Sequence, residues 1–348
     1  MTDKKFKLHR SYHRRERELE KNHLFKTIGS GWGKGMVDHA IFTKKMLHPY
    51  FWGNWMAVLL LRLIVTILPF PALMFLGKWF GRLVGEIVPS RRYVLKRNLK
   101  LAFPMLSEAE RKLMSHRIFE NSGRALFETG IAWFWSDRRF LKHIYIDPEE
   151  LKKAQAIAAQ DKPILVLTCH FMTLEIMARA YALLIKPGIG VYRASEHPVL
   201  EYTQVKGRLR NNLALVDRND PKSMIKALMR KLPIWYAPDQ DYGRKASIFA
   251  PFFAVEKAAS VIGTRQLARI KDTIVLPSYT VREGSKYRLF VEDPVENFPT
   301  DDEYADICRC NQIIEHMIRH APEQYLWMHR RFKTTPEGEP SRYPELKK

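Results

Sequence analysis

At 348 residues the chain can bury a core without staples, and one domain of about 250 residues with an appendage is the natural partition. Three cysteines, Cys169, Cys308 and Cys310, exclude a disulfide framework. Cys308-x-Cys310 has no second pair at ligand spacing, so no structural metal site is expected and a reducing compartment is. The 58 Lys and Arg against 37 Asp and Glu give a net charge of +21, which suits nucleic acid, an anionic membrane or phosphorylated substrates without choosing among them.

Residues 1–50 hold twelve Lys or Arg against five acids and read as a basic, partly helical arm, either a solvated tail or a segment lying on anionic headgroups. No cleavable leader is expected, because the basic region precedes no apolar core with a small-residue site. From Trp55 to Leu76 the chain runs 22 residues with Arg62 as the only charge, long enough to span a bilayer. Arg62 and the Pro69-x-Pro71 break argue instead for a kinked or shallow insertion, and Phe51, Trp52, Trp55, Trp79 and Phe80 resemble interface anchors. The partition expected is a basic arm over 1–50, a membrane-anchoring hydrophobic segment over 51–88 and a catalytic domain over 89–348. Ser107 followed by Glu108 and Glu110 predicts a helix start. The aromatic run WFWSDRR at 133–139 reads as core and surface rather than site.

The run Ile164–Leu167 reads as a buried strand, with Thr168 able to cap a helix beginning near Phe171. The pattern then repeats. Strands are expected at Ile189–Tyr192, Pro233–Tyr236, Ile274–Val281 and Tyr287–Glu292, and helices at Val199–Asn212, Val255–Ile270 and Asp302–His320. Alternation of this kind predicts an α/β fold with a mixed, mainly parallel sheet flanked by helices, preceded by the N-terminal hydrophobic helix. In such sheets ligands sit beyond the carboxyl ends of the strands. His170, Arg193 and Asp239 each follow a predicted strand directly and are expected to converge.

His170 falls on a strand-to-helix turn, with Glu175 five positions on. A continuous helix would hold the two side chains roughly 140° apart, but an imidazole before the first turn could fold back so that Glu175 reaches Nδ1. The carboxylate would then fix the tautomer and leave Nε2 to take a proton from a hydroxyl. The spacing alone is weak, since twelve histidines would produce about one such box by chance. The blander reading is a capping histidine and a first-turn acid favoured by the helix dipole. Arg193, Lys206, Arg208 and Arg210 could clamp a phosphate or carboxylate, although single arginines on a helix are more often solvated. Asp239 and Asp241 lie in a Pro- and Gly-bounded loop, where aspartates often only satisfy backbone donors. His329, Arg330, Arg331 and Lys333 sit among aromatics in a docking surface or a C-terminal helix with a basic end. There is no Gly-rich phosphate loop, no Gly-x-Ser-x-Gly elbow and no His-Glu-x-x-His, and Cys169 is expected to be buried and inert.

The blocks HFMTLE, VYR followed by GRLRNN, WYAPDQDYG, FAPFFAV and APEQYLWMHRRFK, in that order between about Pro49 and Tyr343, resemble the late acyltransferases of lipid A biosynthesis, the lauroyl/myristoyl-type enzymes of Gram-negative bacteria. That family stands within the glycerolipid acyltransferases sharing a His-x4-Asp/Glu box. The resemblance implies transfer of a fatty acyl chain from acyl carrier protein onto the 3-hydroxyl of an acyl chain of a Kdo-bearing lipid A precursor. His170 and Glu175 match its catalytic box, Arg208 the arginine of GRLR and Asp239 the first aspartate of DQD; Arg193 matches the VYR block. It further implies no cofactor, an inner-membrane location with the catalytic domain facing the cytoplasm, and three anionic partners for the charge: phospholipid, acceptor and carrier protein. Rival readings keep the fold with a lysophospholipid or glycerol phosphate as acceptor, or make the chain a membrane-tethered nucleic-acid binder; no recognisable nucleic-acid motif supports the latter, so no nucleic-acid partner is expected.

Overall fold

The computed structural model describes residues 35–344, so most of the basic arm lies outside the described residues. Its end forms a short strand, β1 (Met36–Val37), and two 3-10 turns. The long apolar stretch is not one helix but two, α1 (Trp52–Ile67) and α2 (Phe70–Ile87). Pro69 has no N–H to continue the first helix and sits extended at φ −70°, ψ 156° as the start of the second. The expected proline break is therefore a true boundary. Helix α3 (Pro89–Ala102) follows, then α4 (Glu108–Phe134), which opens on a full capping box in which Ser107 and Glu110 satisfy each other's backbone donors. A short helix, α5 (Asp137–Leu141), leads into the sheet.

Helices α2 and α4 lie backbone to backbone. A Cβ on Gly123 would stand 2.1 Å from the Gly77 carbonyl oxygen, and one on Gly81 would stand 2.0 Å from that of Phe119. Gly77, Gly81 and Gly85 are spaced four apart, so they share one helix face and form the groove that admits α4. The opposite faces carry exposed apolar side chains: Met56, Leu59, Leu60, Leu63 and Ile67 on α1, and Phe75, Trp79 and Leu83 on α2. The segment Pro49–Ile67 is long and apolar enough to cross a membrane, with little of it buried in the protein.

The rest of the chain builds an eight-stranded sheet. In chain order come β2 (Ile144–Tyr145), α6 (Pro148–Ala159), β3 (Ile164–Leu167), α7 (Leu174–Leu184), β4 (Ile189–Tyr192), α8 (Pro198–Arg208), β5 (Ala214–Asp217), α9 (Pro221–Met229) and β6 (Ile234–Tyr236). A separate hairpin, β7 (Ser247–Phe252) and β8 (Val255–Val261), precedes α10 (Gly263–Ala268), β9 (Ile274–Glu283), β10 (Lys286–Val291) and α11 (Glu303–His320). Spatial order is β1-β5-β4-β6-β3-β9-β10-β2. The run from β5 to β9 is parallel throughout, while β1 and β10 join antiparallel, the mixed, mainly parallel arrangement expected. Strand β3 is buried on both faces: Leu165 and Leu167 belong to one hydrophobic cluster, Ile164 and Val166 to the other, as the two-residue period of a strand requires.

One expectation fails here. Val255–Ile270 is not a helix; residues 255–261 pair with β7 (Ala250↔Ala258, Phe249↔Ala259), and only 263–268 are helical. Phe253, at φ 52°, turns the chain back sharply. Cross-strand pairing then overrides the helix propensity of Ala258 and Ala259. Strand β5 and helix α9 went unpredicted as well.

Candidate active site

Two adjacent parallel strands aim the central pair. β3 and β6 are in register at Leu167↔Tyr236, and the Thr168 N–H donates to the Tyr236 carbonyl at 3.0 Å. His170 and Asp239 are each three residues past those paired ends, so the ladder delivers them level. Asp239 receives His170 twice: the His170 backbone N–H donates to Oδ2 at 3.0 Å, and the ring Nδ1 lies 2.7 Å from Oδ1. The Tyr325 hydroxyl donates to Oδ2 at 2.7 Å.

The Asp239 side chain is fully buried, whereas that of His170 is a quarter exposed. Burial alone would raise the Asp239 pKa, but the His170 imidazole, its backbone N–H and the Tyr325 hydroxyl outweigh it and hold the carboxyl at about 2. It is therefore ionised at neutral pH. A carboxylate on Nδ1 assigns the ring proton to that nitrogen, leaving the Nε2 lone pair free to accept a proton.

This corrects the expected partner of His170. Thr168 does not cap a helix near Phe171; residues 168–173 form a loop, and α7 begins only at Leu174 with Thr173 as its N-cap. Glu175 thus stands in the first helical turn, and its side chain faces α8 and the end of α4. Arg208 Nε donates to Glu175 Oε1 at 2.8 Å, and the Trp133 indole N–H donates to Oε2 at 2.9 Å. No hydrogen bond joins Glu175 to His170 among the described residues. Burial would lower the Arg208 pKa, but the Glu175 carboxylate more than offsets it and holds the guanidinium above its ordinary value. Buried Arg179, on α7, donates to the Ala132 carbonyl at 2.9 Å and the Trp135 carbonyl at 2.8 Å, fixing the end of α4 that carries Trp133.

His170, Glu175 and Arg208 open on one cleft of about 790 Å³. Val191, Leu215, Met224 and Leu267 line it with apolar surface, while Arg193, Arg218 and Lys245 add positive charge. Such a lining suits a molecule with an alkyl chain and an anionic head. Arg193 reaches this cleft as expected, with its side chain largely exposed and 3.9 Å from Glu196. Arg210 does not: its guanidinium lies toward the Trp133 carbonyl at 3.4 Å and Asp137 at 3.8 Å, outside the cleft. Asp241 is also turned away, buried and accepting from the Thr334 backbone and hydroxyl, both at 2.7 Å. It pins the C-terminal segment because a buried loop carboxylate must be satisfied locally.

Trp133, Arg218 and Tyr325 were not singled out from the sequence. Trp133 belongs to the run 133–139, whose sequence reads as core and surface. Arg218 directly follows β5, so recognising that strand would have placed it by the same strand-end rule that found Arg193. Cys169 is fully buried, and burial pushes its thiol far up.

The family described as bacterial lipid A biosynthesis acyltransferase matches residues 39–334. The chain is 42% identical over 304 residues to the lipid A biosynthesis lauroyltransferase of Escherichia coli K12, covering 87% of this chain and 98% of that protein. It is equally identical, 42% over 310 residues, to the palmitoleoyltransferase of the same strain, covering 88% of this chain and all of that protein. Similarity to the myristoyltransferase of that strain is lower, 28% over 305 residues, covering 86% of this chain and 92% of the relative.

Proposed function

Given that the chain belongs to the bacterial lipid A biosynthesis acyltransferase family, and is thus an acyltransferase, we propose that it moves a fatty acyl group from acyl carrier protein onto the 3-hydroxyl of a primary acyl chain of a Kdo-bearing lipid A precursor. The observation that carries this reading is a histidine whose Nδ1 is held by a buried carboxylate and which opens on a cleft both apolar and cationic. In the reaction, His170 Nε2 takes the hydroxyl proton while the alkoxide oxygen attacks the thioester carbonyl carbon. The tetrahedral intermediate collapses with loss of the C–S bond, and the imidazolium returns its proton to the departing thiolate. Asp239 stabilises the imidazolium between these steps.

Glu175 serves in this scheme as the holder of Arg208 rather than the partner of His170. With Trp133 it sets one cleft wall, and Arg208, Arg193 and Arg218 meet the phosphates and sugar acids of the acceptor. Base catalysis supplies about 10²–10⁴-fold, so positioning in the cleft provides much of the rest. The exposed apolar face of α1 and α2 rests in the cytoplasmic leaflet of the inner membrane, where the acceptor lies. Burying each of those side chains there is worth about 1.5–3 kcal/mol.

The test is an assay of the purified chain with acyl carrier protein thioester and either the lipid A precursor or lysophosphatidic acid, with products read by mass spectrometry. The reading requires the precursor to gain one acyl mass with the wild type and none with His170→Ala. Transfer to lysophosphatidic acid alone would overturn it.

A further inference from the structure

The groups assigned so far handle the proton and the acceptor, but the attack also places negative charge on the thioester carbonyl oxygen, and Arg208 is already engaged by Glu175. Another polar side chain in the cleft has no such engagement. His329 lines it beside His170, its Nδ1 is buried without a hydrogen-bond partner, and no described residue bonds Nε2.

The chain is built to hold this ring in place. The segment after α11 runs antiparallel to the His170 loop: Leu326 N–H donates to the His170 carbonyl at 3.0 Å, and Met172 N–H donates to the Gln324 carbonyl at 2.9 Å. Buried Asn98, from α3, then donates to the carbonyls of Trp327 at 2.6 Å and His329 itself at 2.7 Å. Two elements distant in sequence, the His170 loop and α3, thus fix the backbone under one imidazole. Burial, then the neighbouring charge of His170, pushes the His329 pKa down to about 4. At neutral pH the ring is uncharged and carries one N–H, and the nitrogen not buried is Nε2. Neutral imidazole is a competent donor to a developing oxyanion, because it gives a hydrogen bond without adding a second positive charge beside the base.

We propose that His329 is a catalytic residue of the acyl transfer, donating a hydrogen bond to the thioester carbonyl oxygen as it becomes the oxyanion of the tetrahedral intermediate. His170 faces the attacking oxygen and His329 the carbonyl oxygen, so one ring is needed as acceptor and the other as donor. This rests on the acyl-transfer reading above.

The test compares His329→Ala, His329→Gln and His329→Phe in the full chain, with acyl carrier protein thioester and lipid A precursor, alongside thermal melting. Loss of the donor lowers kcat by about 10²–10³-fold with KM for the donor changed by about twofold or less. The Gln amide, which restores an N–H near the place of Nε2, recovers at least about tenfold of that loss. His329→Phe keeps the ring shape and loses both nitrogens, so it replaces His329→Ala if that variant fails to fold. A kcat within about threefold of wild type in the donor-less variants, or a Gln variant no faster than Phe at equal melting temperature, overturns the assignment. A merely structural histidine would move the melting temperature and not the Gln-to-Phe ratio. If the wild type itself transfers nothing, the acyl-transfer reading falls, and this one with it.

Discussion

Replacing Asp239 with Asn tests the relay on which the proposed chemistry depends. The carboxyl is held at about 2 against an ordinary 3.8, a preference for the carboxylate on the order of 2–3 kcal/mol at 1.36 kcal/mol per pKa unit. The His170 charge is the leading favourable contribution to it, and that attraction is available only once the ring has taken the substrate proton. Asn is nearly isosteric and its Oδ1 still accepts from Nδ1, so the neutral ground state barely changes while the imidazolium loses its counter-charge. The expected result in steady-state acyl transfer is a kcat lower by roughly 30- to 150-fold with little change in KM. If the Asn amide flips toward Nδ1 and forces the other tautomer, the loss grows toward about 10⁴-fold. A kcat within about fivefold of wild type would refute the relay, as would Glu175→Gln slowing the reaction more than Asp239→Asn does. Acid stability offers a second check. A depressed carboxyl contributes stability that is complete above about pH 4 and is lost as pH falls through about 2. The melting-temperature gap between wild type and Asp239→Asn should therefore shrink as pH falls from about 4 toward 2.

The Glu175–Arg208 pair is expected to act as a unit: a double-mutant cycle of Glu175→Gln and Arg208→Ala on kcat/KM should show coupling of about 0.5–3 kcal/mol, and additive losses would mean the two work separately. Because the His329 pKa falls from 6.5 to about 4, the unfolded chain binds a proton between those values that the folded chain does not. Stability from this site is thus full above about 6.5 and is lost as pH falls through about 4, so melting of His329→Gln should be less sensitive to pH across that window than wild type, and an equal slope would contradict this. Gly123→Ala should lower stability by about 1–3 kcal/mol or more, because the new methyl meets the Gly77 carbonyl; an unchanged melting temperature would show that α2 and α4 can move apart freely. Leu63→Glu with Ile67→Glu places charge on the exposed face of α1 and should reduce co-sedimentation with anionic vesicles at least about tenfold, whereas full retention would remove that face from the membrane contact.

Local pattern was sufficient for much of this protein. Ile164–Leu167 is legible as a strand because four consecutive apolar residues are buried on both faces, Ser107 marks a helix because its hydroxyl and Glu110 satisfy the first orphan donors, and the Leu68-Pro69 boundary follows from a missing N–H. The strand-end rule brought His170 and Arg193 to one cleft and Asp239 to the buried side of His170, since it depends only on where strands stop. The ordered blocks of residues placed the family. Tertiary structure alone decided who touches whom. Asp239, not the nearby Glu175, holds His170 across 69 residues, because the β3–β6 register sets the two loops level while a late helix start turns Glu175 toward Arg208. It also brought Trp133 and His329 into the cleft and sent Arg210 and Asp241 out of it. Periodicity reports which face of an element is buried, and hydrogen-bond partners at such separations depend on register and packing, which no single segment encodes.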